Sequence, residues 1–453
     1  MLAELPQPIH VRYEAGHLNV SGPVPQRLRI TAQAMLHNLI PSVSDRSIDL
    51  ICIAAGAYTV DRISKRGRTK ANEAGIRTFP ICFHVADLSY WSQAAVVNRI
   101  AELLNFLTGD LWLVSFEGQE RAVARSPQTM LDFGIARRPS HVALYSGGLD
   151  SAAGLACELL RGQRDFLLLT ASHQTSIRRR AIDQINALKH VVPEARTLSH
   201  ASFIVNLEGS ERLRKQETTQ RVRGFLFCAS AAVLAAAAGA GKVHIYENGH
   251  GAINLPLSAG GLSNGFSTRG AHPTFLKMME VLVSEALSSE LCFVLPFLPM
   301  TKAAMVAELA KTPGLANWAQ MSRSCVHSSW RERGVAHCGE CPACIERHQA
   351  FVAAGVVDRT PYSEHRIWEA SNALNNDYLR AYLDAALGWV KGDPRVQQRL
   401  EVYRILSELE SHDTEGLAAL HRQHAAETLS VYGDLLDYLE KEPSANTDLQ
   451  AVA

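Results

Sequence analysis

The apolar run His141-Val142-Ala143-Leu144-Tyr145 leads directly into Ser146-Gly147-Gly148-Leu149-Asp150-Ser151, and an alanine-rich helical run to Arg161 follows. A strand that turns through paired glycines into a helix constrains the fold strongly. The same alternation then repeats. Strands are expected over residues 165–171, 203–207 and 242–246, with helices over 177–190 and 221–238 between them. Strands alternating with helices imply a parallel sheet wound with helices on both faces. In such sheets ligands bind at the carboxyl ends of the strands. The polar residues of this chain gather there: Ser146 to Ser151 after the first strand, Ser172-His173-Gln174 after the second, and Glu247-Asn248-Gly249-His250 after the fourth.

The glycine turn reads as a phosphate cradle. Two glycines let the backbone turn sharply and let an anion approach the N–H groups. Ser146 and Ser151 add hydroxyls, and the helix start contributes unpaired N–H groups and a positive dipole end. Asp150 suits such a site only if Mg²⁺ arrives with the phosphates, which points to MgATP. Taken alone, the turn is equally compatible with a tight connection. It is no Walker A loop, and Gly239-Ala240-Gly241-Lys242 is a decoy because Val243 follows. The full Ser-Gly-Gly-x-Asp-Ser run is similar to the signature of the PP-loop ATP pyrophosphatases, which cleave ATP between the α and β phosphates. That resemblance implies a PP-loop/HUP-like (adenine nucleotide alpha hydrolase-like) α/β fold. It also implies nucleotide binding by Ser146, Gly147, Gly148, Leu149, Asp150, Ser151, Ser172, His173 and Gln174.

A chain of 453 residues implies two or three domains. Lys+Arg and Asp+Glu balance at 45 each, so no global charge favours nucleic acid or an anionic membrane. The start of the chain lacks a basic region followed by a continuous apolar stretch, and cytoplasm is the expected location. Residues 1–138 read as an α+β domain of unassigned role. A hairpin is expected at 9–13 and 17–20, strands at 50–53, 78–85 and 111–116, a helix at 92–107 and an exposed loop at 64–75. Asp61 with Arg62, and Asp87 before Tyr90 and Trp91, read as solvated turns or core edges in preference to a binding surface. Residues 139–360 carry the glycine loop. Within them, 254–272 reads as a long loop, 273–287 as a helix, 295–299 as a strand and 302–310 as a helix. Residues 361–453 read as polar helices over 370–387, 394–409 and 415–439 that cover a domain face.

Cys325, Cys338, Cys341 and Cys344 form C-x12-C-x2-C-x2-C. Two-residue spacing lets neighbouring thiolates meet one metal, and Gly339 and Pro342 favour the required turn. Four thiolates suit tetrahedral Zn²⁺ and leave no open position, so the site would be structural. An iron–sulfur cluster is the minor alternative. His327, His337 and His348 flank the group as surrounding residues rather than ligands.

The glycine loop together with Ser322-Arg323-Ser324-Cys325 and Cys338-Gly339-Glu340-Cys341-Pro342-Ala343-Cys344-Ile345-Glu346-Arg347 resembles the 7-cyano-7-deazaguanine synthase (QueC) family over roughly residues 140–355, with the zinc element at 325–347. Arg223-Gly224-Phe225-Leu226-Phe227 resembles the family's Arg-Asn helix start, and Lys302 matches the lysine before the zinc segment. The resemblance implies Asp150, Ser151, Arg223 and Lys302 in catalysis, with ATP, Mg²⁺ and Zn²⁺. Its substrate is a 7-carboxy-7-deazaguanine-type acid, adenylated and passed to an amine. Departures cluster at the substrate wall, where Glu247, Asn248, Gly249 and His272 are the expected contacts. Together with the added flanking segments, this longer form is similar to the QueC-like proteins of bacterial antiphage operons of the Qat type. That likeness implies partners encoded in the same operon, with a partner amine as one acceptor. The basic run Arg212, Arg214 and Lys215 reads as a solvated face. Two other readings stay open: a tRNA-modifying PP-loop enzyme, disfavoured by the neutral charge, and a nucleotide-binding scaffold without catalysis.

Overall fold

The computed structural model describes residues 7–14, 17–22, 26–30, 44–66, 75–120, 139–172, 175–208, 217, 220–257, 268–326, 337–363, 366, 368, 377–409 and 413–436. Its strands are β1 (Ile9–Glu14), β2 (His17–Ser21), β3 (Gln26–Ile30), β4 (Thr78–Val85), β5 (Leu111–Gly118), β6 (His141–Leu144), β7 (Phe166–Ser172), β8 (Ser199–Glu208), β9 (Lys242–Ile245) and β10 (Cys292–Val294). The helices are α1 (Asp45–Ile63), α2 (Leu88–Trp91), α3 (Ala94–Thr108), α4 (Leu149–Leu160), α5 (Thr175–Val191), α6 (Arg223–Ala238), α7 (Gly249–Ile253), α8 (Pro273–Leu287), α9 (Lys302–Ala310), α10 (Leu315–Ala319), α11 (Pro342–Ala353), α12 (Asp377–Val390), α13 (Pro394–Leu406) and α14 (Thr414–Tyr432).

The strands form a single sheet in the order β10-β9-β6-β7-β8-β3-β2-β1-β4-β5. From β10 to β8 every pairing is parallel. Alternation along the strands faces two cores. Val142 packs with α6 and α8, while Ala143 and Tyr145 pack with α4, α5 and α9. The parallel sheet is therefore covered on both faces, as its apolar strands require. The strand order reverses between β6 and β9, which makes their carboxyl ends the topological switch point.

The N-terminal elements join this sheet without a break. β3 pairs antiparallel with β8, setting Arg27 beside Glu208 and Ile30 beside Val205. One apolar core contains residues from α1 and α3 together with residues from α6 and α8. Two strand expectations fail. Residues 50–53 lie inside α1, which is buried from Asp49 to Asp61 and starts at Ser44, whose side chain accepts a hydrogen bond from Ser47 N–H. A four-residue apolar run cannot distinguish a strand from a buried helix. Residues 295–299 are a turn, and the strand is the preceding Cys292–Val294. Pro296 and Pro299 lack the N–H that a ladder needs.

Of the two readings of Asp61, solvated turn or core edge, the structure supports the core one. Asp61 is fully buried and pairs with Arg77 at 2.6 Å, and Arg77 also reaches Asp110 at 2.5 Å. Arg66, expected in an exposed loop whose residues 67–74 lie outside the described ones, is also buried and holds Asp110 at 2.8 Å. The segment before α6 docks on this network: Val222 N–H meets Asp61 at 3.4 Å, and Arg66 N–H meets Glu217 at 2.9 Å.

Helices α12 to α14 fall within three residues of the expected limits at 387, 394, 409 and 415, and the expected limits at 370 and 439 lie outside the described residues. They pack on α7 through Ile253 and Leu255 and on α11 through Ile345. Among the described residues no helix is long and apolar enough to cross a membrane. Replacing Arg77 by Ala takes the ion-pair partner from buried Asp61 and leaves Asp110 with Arg66 alone. It is expected to cost about 3–5 kcal/mol in denaturant unfolding, and a loss under about 1 kcal/mol would show that the network is not holding the module.

Candidate active site at the sheet switch point

The loop after β6 turns through Gly147 at φ 75°, a left-handed conformation that favours glycine. Gly148 occupies the N-cap position of α4, and no side chain caps that helix. The first-turn N–H groups therefore face the loop with their dipole end. Ser146 Oγ accepts from Gly148 N–H at 3.2 Å and lies 3.2 Å from Ser151 Oγ, while Ser151 donates to Gly148 O at 3.1 Å. Leu149 is buried in the α4 core, so its side chain anchors the helix. The loop is pinned from outside by Arg323 N–H, which donates to Gly147 O at 2.9 Å.

Beside this loop four charged side chains converge. Lys302, at the first position of α9, lies 2.8 Å from Glu346 and 3.2 Å from Asp150. Asn248 donates to Asp150 at 2.8 Å and to Glu247 at 3.1 Å, and its own oxygen caps α7 through Gly251 N–H at 3.0 Å. Gly249 N–H donates to Met300 O at 2.8 Å, tying the β9 exit to the start of α9. Burial opposes the Lys302 charge, but Asp150, Glu346 and Glu247 outweigh it and raise its pKa. Burial likewise opposes the Glu346 charge, yet Lys302 and His250 bring its carboxyl down to about 2. Glu247 goes the other way: burial, then the neighbouring Asp150 charge, raise its carboxyl well above the ordinary range. The group is thus an ammonium between two carboxylates with a third acid that favours its proton.

The C-terminal helices wall this group. Tyr382 donates to Glu346 at 2.7 Å, Thr301 donates to Glu427 at 2.7 Å, and His424 stacks on His250 with centroids 3.5 Å apart. A small recess is lined by Asn248, His250, Lys302, Glu346, His424 and Glu427 among others. One Glu427 oxygen and His421 Nε2 have no hydrogen-bond partner among the described residues. Sequence reasoning missed Glu346, Tyr382, His424 and Glu427 as site residues. Glu346 stood inside the quoted cysteine motif. The other three sit on polar helices with no local signal.

The four cysteines are buried, and their sulfurs lie within 4.8 Å of one another. Cys338 Sγ accepts N–H groups from Glu340 and Cys341, both at 3.4 Å. Converging thiols met by backbone donors fit a tetrahedral zinc ion. His337 is buried beside them and accepts Ser324 N–H through Nε2 at 3.2 Å, whereas His348 pairs with Asp358 at 3.0 Å. His327 lies outside the described residues. The element also sets the site. α11 begins at Pro342, so Glu346 projects from its first turns, and the next residue, buried Arg347, holds Ser322 at 2.7 Å, Gln320 O at 3.0 Å and Thr360 at 2.8 Å. The 320–324 segment that Arg347 grips is the one that pins Gly147.

Other expected site residues lie elsewhere. Arg223 is exposed at the start of α6, with its guanidinium 5.8 Å from the Phe227 ring centroid, and makes no described contact with the Lys302 group. His272, expected at the substrate, is instead fully buried as the N-cap of α8, accepting Thr274 N–H at 3.2 Å and packing against Phe106 and Tyr403. Ser172 ends β7, and His173 and Gln174 lie outside the described residues, as do Arg212, Arg214, Lys215 and the middle of the 254–272 loop. The Arg-Gly departure has a steric cause. A Cβ on Gly224 would fall 2.6 Å from Gly270 Cα, so the rebuilt loop lies directly on the first turn of α6.

Burial lowers His424 to about 4 and His250 to about 3. Their unfolded values lie near 6.5. Below that pH the unfolded chain takes up protons the folded site refuses, so stability falls as pH drops from about 6.5 towards 4. Melting temperatures should decline over this interval and decline less steeply in His424→Gln. An identical slope in the variant would contradict the neutral stacked pair.

Comparison with known proteins bears on residues 140–355, which match the family model described as Queuosine biosynthesis protein QueC. A 7-cyano-7-deazaguanine synthase of Sinorhizobium fredii is 34% identical over 105 residues, covering 22% of this chain and 40% of the relative. Proteins of the same name from Brucella ovis and Brucella canis are 33% identical over 108 residues, covering 23% and 42%. The chain thus spans about two fifths of the length of these curated relatives.

Proposed function

We propose that this chain, QueC-like over residues 140–355, uses ATP to adenylate a carboxylic acid and passes the acyl group to an amine. The observation that carries the reading is the juxtaposition of an uncapped helix start, a glycine turn and the partly buried Asp150–Lys302–Glu346 group at one sheet switch point. The β and γ phosphates would lie on the N–H groups of the turn and the hydroxyls of Ser146 and Ser151. Asp150, already oriented by Asn248, would hold Mg²⁺ beside them. The ion supplies charge stabilisation as pyrophosphate departs.

In the first step a carboxylate oxygen bonds to the α-phosphorus. The α–β bridging P–O bond breaks, and pyrophosphate leaves with the electron pair. The fixed N–H groups and the Lys302 ammonium stabilise charge that grows on the phosphates. In the second step an amine nitrogen bonds to the acyl carbon, the acyl C–O bond to the phosphate breaks, AMP leaves with the electron pair, and the amine's proton passes to solvent. The relatives are named for 7-cyano-7-deazaguanine, which supports a deazaguanine substrate; we take it to be the 7-carboxy acid and assign the recess beside Lys302 to its carboxylate. α14, which lies outside the matched region, contributes His424 and Glu427 to the recess wall, and this favours an acceptor other than free ammonia: an amine on a partner protein, in a bacterial antiphage operon.

Pyrophosphate release should depend on the deazapurine acid and fall by about a hundredfold or more in Lys302→Met and Asp150→Ala. ATP binding without acid-dependent release would favour a scaffold. Intact mass spectrometry of co-expressed operon partners should show the added acyl mass, and its absence with ATP and acid supplied would remove the protein acceptor.

A further inference from the structure

The N-terminal module carries a second group of metal-ligating side chains, far in sequence from the cysteine element. β1, β4 and β5 are adjacent parallel strands. Their register sets His10 beside Cys82 and His84 beside Glu117. Cys82 and His84 are two residues apart on β4 and share a face. The alternating residues Val11, Ile81, Phe83 and Val85 fill the apolar core on the other face. The ligating side chains are therefore not needed to build that core. Burying His and Cys where an aliphatic side chain would pack has a cost unless the polar atoms are used.

The donors converge. His10 Nδ1 lies 3.1 Å from His84 Nε2, and a Glu117 carboxylate oxygen lies 3.6 Å from the same nitrogen. One donor atom from each of His10, Cys82, His84 and Glu117 falls within 4.8 Å of the other three. Zinc bonds of about 2.0–2.3 Å require donors roughly this close. Cys82 and His84 are 3% and 5% exposed, whereas the Glu117 side chain is 55% exposed, so the group is closed beneath and open at its carboxylate.

We infer that His10, Cys82, His84 and Glu117 form a site for a zinc-type divalent transition metal, with Glu117 as the solvent-facing, exchangeable ligand. Two imidazoles, one thiolate and one carboxylate match the donor preference of late first-row divalent ions. Arg12 Nε donates to His84 Nε2 at 3.1 Å and is exposed, so it occupies the cation's place and swings out to solvent on binding. The Cys82 thiol proton is released to solvent as its sulfur bonds the metal. The ion would then clamp three neighbouring strands of the module.

Metal content of the full-length protein, equilibrated with zinc and desalted, tests this. The wild type should retain a second equivalent beyond the one on the four cysteines. Cys82→Ser and His84→Asn should each lose it and keep the first, with folding checked by circular dichroism. Glu117→Gln, at an exposed position, should weaken the second equivalent about tenfold, which keeps the test valid if the buried variants do not fold. Retention of only one equivalent by the wild type would overturn the site. So would survival of the second in both buried variants, or unchanged zinc affinity in Glu117→Gln.

Discussion

The architecture depends on keeping one ammonium among carboxylates in a partly buried place. Lys302 stands at the start of α9, Asp150 at the start of α4, and Glu346 in the first turns of α11. Three helix starts from distant parts of the chain are thus drawn to one point. A buried charge left alone costs several kcal/mol, so each partner is needed once the others are in place. Asn248 and Tyr382 fix the outer carboxylate oxygens, which keeps the charges from rotating apart. The strand order reverses at the same point, so backbone and side chains open one crevice.

The four-cysteine element is far from inert to that crevice. Its last cysteine is followed within the same helix by Glu346 and Arg347, one facing Lys302 and the other buried beneath the 320–324 segment. That segment donates the hydrogen bond that pins Gly147. One rigid element therefore sets the height of the glycine loop and the position of the counter-ion to Lys302. The N-terminal module is similarly continuous with the site. Its sheet edge pairs with β8, and its buried ion pairs receive the segment that leads into α6.

Much of this was legible in the sequence because the glycine loop, the cysteine spacing and the strand–helix alternation are local signals. The family likeness supplied Lys302 by position. What spacing could not convey was which acids Lys302 meets, since Asp150 and Glu346 reach it only through the fold. Tyr382, His424 and Glu427 were invisible for the same reason: each is an inward residue on a helix whose composition is ordinary and polar. The misread run at 50–53 shows the converse limit, where burial on every side erases periodicity. His272 was read as a substrate contact from its place in a rebuilt loop. Its ring instead closes a helix start between Phe106 and Tyr403.

The central claim is that this site cleaves ATP at the α-phosphorus by carboxylate attack. Turnover of an acid labelled with heavy oxygen in its carboxylate tests it most directly, with the products read by mass spectrometry. The account predicts AMP carrying one labelled oxygen from the acid, formed together with pyrophosphate. ADP and inorganic phosphate, or AMP whose new oxygen comes from water, would contradict it.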